Sequence, residues 1–339
     1  MNAYRKYNIP CFTLLFEKGI LDNGMIGHKT DEVFATDTGQ FFFDTKLNFI
    51  PGNFVNKQRH GEERLAITQA IGILQANIKH ISSNNQPLKF EGGDIRQAPG
   101  RKLFFVGYGH RNDPSAAQSI HNLIGEQFIV VPIELLQPRY YHLDCCFLPL
   151  FHDFALVYEG EYQTNKQGDR IIEKSDPNDP TSLEWPALIH ETATMTISSR
   201  KRIRQLYDAD HLILITEKEA AAFGANAVLV TNEARQDIMF IPAHSLTLST
   251  INQIKQKIHG IAIEEVEFDA FHRSGGSIRC ATQEVPCSTT FVASLKKQSA
   301  TDDVFNHTLF FHSAKSARSN STRKINIDDY QVHYRSKPY

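Results

Sequence analysis

Short apolar runs alternate along the chain with stretches in which hydrophobic residues recur every three or four positions. The runs at Leu103–Tyr108, 128–131, 154–158, 212–215, 227–230, 238–241 and 261–268 are rich in Val, Ile and Phe and bounded by Gly, Pro, Asn or Asp, which predicts strands. Helical spacing predicts helices over 62–78, 115–126, 218–223 and 245–259. In the last of these, Leu248, Ile251, Ile254 and Ile258 share one face, and Gly260 supplies a stop. The alternation predicts an α/β protein. The eye finds no internal repeat at this level.

Two stretches depart from the pattern. Residues 162–183 are polar and contain SDPNDP at 175–180, and beyond residue 295 the chain turns rich in Ser, Lys, Arg and Asn. We therefore expect an N-terminal segment over 1–32, a catalytic domain over 33–295 with an insertion at about 160–205, and a C-terminal extension over 296–339. Formal net charge is −2, so no electrostatic case exists for a nucleic-acid or membrane partner. The short basic cluster Arg200, Lys201, Arg202 and Arg204 reads as a solvated helix face. Five cysteines without CxxC or zinc-type spacing predict neither a disulfide framework nor a metal site. The apolar run near the N-terminus is too short to span a bilayer and lacks a cleavage signature, so a cytoplasmic protein with reduced thiols is expected. No GxGxxG or Walker loop is present, and no cofactor is implied.

The chemistry concentrates in three motifs. GGSIRC places Cys280 four residues after the pair Gly275 and Gly276, where the backbone can bend and approach a ligand closely. FEGGD sets Glu91 and Asp94 around Gly92 and Gly93 ahead of the run RKLFFVGY. HLD holds His142 and Asp144 two residues apart, a spacing that points both to one side of an extended segment. A nucleophilic thiol needs a proton carrier nearby and a lowered pKa. Asp37, Glu91, Asp94 and Asp144 would instead raise that pKa in an empty pocket. Such a set of acids suits a cationic substrate, and a planar guanidinium pairs best with carboxylates.

FEGGD, GRKLFFVGYGHRND, HLD, NAVLV and GGSIRCATQEV occur in the order and spacing of the guanidine-modifying enzymes, and the chain resembles that superfamily over residues 33–292. The superfamily comprises arginine deiminases, dimethylarginine dimethylaminohydrolases, agmatine deiminases and amidinotransferases. The resemblance implies a five-bladed α/β propeller of ββαβ units, the pentein fold, around a central site. It implies Cys280 as nucleophile, His142 as catalytic histidine and Glu91 as its partner, with Asp37, Glu91 and Asp144 gripping guanidinium. Arg111, in RND, matches an arginine that holds the substrate carboxylate, and Arg59, in RHGEE, a second such contact. The implied partner is a small arginine-like guanidino compound, and a homo-oligomer is allowed. The implied activity is hydrolysis of the guanidino group through a covalent thiouronium intermediate. The alternatives are an amidinotransferase, and a propeller that binds a partner without chemistry. Cys145, Cys146 and Cys287 read as core residues rather than further nucleophiles.

Overall fold

A computed structural model of the chain describes residues 2–7, 9, 19–20, 26–27, 33–72, 74–160, 193–287 and 311–313. Within them one structural unit recurs four times: two antiparallel strands, a helix, and a third strand parallel to the second. The first unit pairs Gly39–Phe43 with Leu47–Pro51, crosses by the helix Glu63–Gly72, and returns at Asn77–Ile78. The second comprises Ile95–Gln97, Leu103–Tyr108, the helix Ala116–Ile124 and Ile129–Glu134. The third comprises Phe147–Pro149, Ala155–Val157, the helix Ile197–Leu206 and Leu212–Leu214. The fourth comprises Val228–Thr231, Asp237–Pro242, the helix Leu248–Lys257 and Ala262–Val266. A parallel pair, Val285–Cys287 with Phe311–Ser313, follows them.

The α/β expectation therefore holds, and the ββαβ unit is present. Among the described residues four complete units are found, in small open three-stranded sheets, rather than five. The repeat lies in the order of elements and not in residue identities. The expected helix over 62–78 ends at Gly72, and its last two residues form a strand. Gln75, at φ 51°, turns the chain between the two. The helix Ile197–Leu206 carries the basic cluster, but it is not simply solvated. Arg200 is buried, Arg202 donates to the Pro132 carbonyl, and Arg204 chelates Glu159. Residues 161–192 of the expected insertion, and nearly all of the two terminal segments, lie outside the described residues.

Strand alternation explains how the units join. In Leu103–Tyr108 both faces are buried, so the run reads as continuously apolar. Phe104 and Val106 pack with Phe42 and Ile50 of the first unit, whereas Leu103 and Phe105 pack with Phe147 and Leu148 of the third. Leu229 faces the same large core as the third unit, and Val228 and Val230 face Ile278 and Tyr4. Phe41 and Phe49 meet Val285, which brings the strand that follows the fourth unit back to the first unit. The first, second and fourth sheets thus each contribute to two cores, and the third lies within the large core that it shares with the second and fourth.

Phe105 lies at one such junction, with ring centroids 4.8 Å from Phe147 and 6.0 Å from Tyr207. Phe105→Ala should destabilise the fold by about 3–5 kcal/mol in urea unfolding. Leu248→Ala, at a side chain 77% exposed, should stay within about 0.5 kcal/mol of wild type. Equal effects at the two positions would contradict this packing.

Candidate active site

Each unit is preceded by a short turn, and these turns carry the site. Ala35–Thr38 leads into Gly39–Phe43, Gly92–Asp94 into Ile95–Gln97, and Leu143–Cys145 into Phe147–Pro149. A turn closed by the Asn226 amide on the Phe223 carbonyl leads into Val228–Thr231, and one closed by the Ala281 amide on the Ser277 carbonyl leads into Val285–Cys287. Asp37, Glu91 with Asp94, His142 with Asp144, Asn226 and Cys280 therefore occupy comparable positions at five turns.

The turns are bound to one another. The Thr36 amide donates to the Cys280 carbonyl at 3.0 Å, and Arg279 Nη1 donates to Thr36 Oγ1. Asp94 Oδ1 accepts the Leu143 amide at 2.9 Å. Asn226 Nδ2 donates to the Asp144 carbonyl at 3.3 Å, and Oδ1 accepts the amides of Arg279 and Cys280 at 3.0 and 3.3 Å. The first and second turns meet at Gly92, where an added Cβ would sit 2.1 Å from the carbonyl oxygens of Thr36 and Gly39. Next to it, a Cβ on Gly93 would sit 2.6 Å from His142 Nδ1 and 2.7 Å from Asp37 Oδ1. The glycine pair of FEGGD is there because two other turns occupy the space of its side chains. The second pair acts at the rim: Gly276 lies under the Phe34 ring, and Gly275 accepts the Tyr141 hydroxyl at 2.8 Å.

His142 is buried between two carboxylates, with Nε2 3.0 Å from Glu91 Oε2 and Nδ1 3.5 Å from Asp37 Oδ1. Burial opposes its charging, but Asp37, Glu91 and Asp94 outweigh that and push its pKa up to about 10. Burial likewise opposes charging of Glu91, yet His142, Arg111 and Arg59 hold its pKa down at about 2. This pair is imidazolium and carboxylate at neutral pH. Asp94, fully enclosed, is raised by burial to about 7.

Cys280 sits on the other side of the His142–Cys145 turn. Its Sγ lies 3.7 Å from Asp144 Oδ2 and 3.1 Å from Asn226 Nδ2. Burial, then Asp144 and Asp37, drive its thiol pKa well upward, against hydrogen bonds from Ser277 and Asn226 that lower it. Asp144 is itself raised, chiefly by burial, and no ion pair is found for it among the described residues. The resting site thus holds a neutral thiol beside a carboxyl group that makes no ion pair among the described residues, with His142, Arg96 and Arg279 acting on it at longer range.

The two arginines differ. Arg111 stands at the rim, 26% exposed, with its guanidinium 4.8 Å over the Tyr141 ring and Nη1 3.5 Å from Glu91 Oε1. Its neighbour Asn112 accepts the Glu91 amide at 2.8 Å, so RND braces FEGGD as well as flanking it. Arg59 is buried, donating to Asp37 Oδ2 at 2.8 Å and to Glu62 Oε2 at 2.9 Å, with Glu91 Oε2 at 3.8 Å. Its charge is already matched by acids, which leaves it poorly placed to take a substrate carboxylate. Asp37, Glu91 and His142 also present ligand-type atoms within 4.8 Å of one another. A metal ion there would have to displace the His142 proton and compete with Arg59 for Asp37.

Cys145 and Cys146 are buried in the large core, and Cys11 and the Cys287 side chain lie outside the described residues. Sequence reasoning assigned no role to Asn226, Tyr141 or Phe34. For Asn226 the signals were its place as the first residue of NAVLV, one of the segments that carry the resemblance, and its position directly ahead of an apolar strand. Among the described residues no helix is long and apolar enough to cross a membrane.

Comparison with known proteins adds four findings. A sequence model of the eukaryotic N,N dimethylarginine dimethylhydrolase family matches residues 186–287. An uncharacterised protein of Caenorhabditis elegans is 26% identical over 279 residues, which is 82% of this chain and 78% of the relative. The bifunctional arginine dihydrolase/ornithine cyclodeaminase ArgZ of Synechocystis is 26% identical over 258 residues, 75% of this chain but 29% of that longer protein. The crystal structure of the ArgZ N-terminal domain, covalently bound to a reaction intermediate, superposes with a TM-score of 0.55 at 22% identity, covering 75% of each chain.

The His142–Glu91 pair makes a pH prediction. The raised His142 pKa contributes stability that is full below its unfolded value, about 6.5, and is lost as pH rises through about 10. The lowered Glu91 pKa contributes stability that is full above about 4.5 and is lost as pH falls towards about 2. NMR titration should therefore find His142 still protonated at pH 8, and Glu91→Gln should lower its midpoint by about one unit or more. A wild-type midpoint near 6.5 would contradict the assignment.

Proposed function

Since the chain belongs to the guanidine-modifying superfamily, we propose that it hydrolyses the guanidino group of arginine or an arginine derivative, with Cys280 as nucleophile. The observation that carries this reading is the junction at the third turn. His142 faces Glu91 and Asp37 on one side, and Asp144 faces the Cys280 sulfur on the other. On this reading the four units and the Val285–Cys287 pair are blades of one propeller with the five turns at its hub.

Substrate guanidinium binds against Asp144, Glu91 and Asp37, and Arg111 takes the α-carboxylate at the rim. Arg59 acts through Asp37, holding that carboxylate in place by a 2.8 Å ion pair. The arriving cation offsets the negative field that suppresses the thiolate, so Cys280 releases its proton to solvent when there is something to attack. The sulfur then bonds to the central carbon and gives a tetrahedral adduct. A C–N bond breaks, and the His142 imidazolium passes its proton to the departing amine, leaving a thiouronium on Cys280. Neutral His142 next takes a proton from water. The resulting hydroxide adds to the carbon, the C–S bond breaks as the hydroxyl proton passes to solvent, and a ureido product leaves with the imidazolium restored and the thiolate free to regain its proton.

Asp144 favours an unmethylated terminal nitrogen, because methylation removes the N–H groups a second carboxylate would accept. Arginine is therefore the preferred substrate over dimethylarginine. A panel of arginine, methylarginines, agmatine and an arginine peptide, with product masses measured, tests the choice. Ammonia release from arginine is expected. Dimethylamine release from dimethylarginine would reassign the substrate, and activity only with an added amine acceptor would make the protein an amidinotransferase. Cys280→Ser should lose at least about a thousandfold in turnover while still binding substrate. Retention of most activity would remove Cys280 from the mechanism.

A further inference from the structure

We infer that Asn226 is a further catalytic residue, whose carboxamide donates a hydrogen bond to Cys280 Sγ and stabilises the thiolate when it forms, with the sulfur aimed into the site. The inference rests on the reading of Cys280 as nucleophile. Four of the five turns contribute Asp37, Glu91 with Asp94, His142 with Asp144, and Cys280, and Asn226 stands at the fifth in the corresponding place. It is completely buried, between the Asp144 turn and the Cys280 turn.

The orientation of the amide follows from its partners. Oδ1 accepts two backbone N–H groups, from Arg279 at 3.0 Å and Cys280 at 3.3 Å, so it must be the carbonyl end. Nδ2 is then directed at Cys280 Sγ at 3.1 Å and the Asp144 carbonyl at 3.3 Å. The other side-chain contacts of the sulfur are acceptors, Asp144 Oδ2 at 3.7 Å and Asn226 Oδ1 at 3.5 Å. A neutral thiol can donate to those oxygens, but a thiolate can only accept. Ionisation therefore weakens the contacts to oxygen and strengthens the one to Nδ2, which becomes a charge-assisted hydrogen bond. With the Ser277 backbone, Asn226 opposes the upward push of burial, Asp144 and Asp37 on the thiol. An asparagine serves where an aspartate would not, because a third carboxylate beside the sulfur would deepen that push.

A bracing role alone would fix the turn without affecting ionisation, and two measurements separate the possibilities. The first follows the pH dependence of Cys280 alkylation by chloroacetamide, mapped by mass spectrometry, in wild type and in Asn226→Ala. The variant should ionise at higher pH, with alkylation near neutrality about tenfold slower. An unchanged midpoint in a folded variant would overturn the proposal. The second uses wild-type protein and so survives a variant that fails to fold. The Asn226 side-chain amide protons, followed by NMR through the same pH range, should shift with the Cys280 midpoint, and no response there would also overturn the proposal. Neither readout needs a substrate. A wild-type protein that turns over no guanidine would sink the proposed function while leaving this test intact.

Discussion

Five short turns bury charged side chains against one another, and each charge needs a partner because water has been excluded. A buried ion without a counter-charge costs several kcal/mol, so the arrangement tolerates little displacement. Arg59 answers Asp37, His142 answers Glu91, and a backbone amide answers Asp94, while the uncharged Asn226 takes two backbone amides on its carbonyl. The same bonds that neutralise these groups join one turn to the next. Stability and site geometry are therefore one property here. Gly92 and Gly93 are where this is tightest, since any side chain would intrude on the carbonyls of the first turn or on the His142 ring.

Charge is distributed unevenly within this set. The acids near His142 are matched, and the histidine is held as a proton donor. Asp144 and Cys280 make no direct cationic contact among the described residues, and the charges of His142, Arg96 and Arg279 reach Asp144 only at longer range. A group that supplies flat positive charge at that point changes the state of the thiol. On the proposed reading this couples the arrival of substrate to the creation of the nucleophile, and it keeps an idle thiol from reacting with other electrophiles.

Much of the site was legible because catalysis restricts residue type at positions beside glycine pairs and ahead of apolar strands. FEGGD, HLD and GGSIRC all fit that description. Asn226 fits it too, but an asparagine ahead of an apolar run is also common turn chemistry, and only the contacts to Cys280 set it apart. Arg59 was legible as a residue near the site but not in its partners, because Asp37 and Glu62 reach it through the fold. Strand Leu103–Tyr108 was recognisable from a continuous apolar run, whereas Ile95–Gln97 and Phe147–Pro149 are too short to show a period. The helix Ile197–Leu206 was hidden by its polarity, since its arginines are anchored by Glu159 and a carbonyl rather than by an apolar stripe. The fourfold repeat exists in connectivity and burial, neither of which residue identities record.

The central claim is that a guanidinium cation switches Cys280 from thiol to thiolate. The direct measurement is the ultraviolet thiolate absorbance of wild type minus Cys280→Ser across pH, with and without saturating propylguanidine. The midpoint should lie above that of a free thiol in the empty protein and fall when the cation binds. A thiolate already formed in the empty site, or a midpoint that the cation leaves unmoved, would contradict the account.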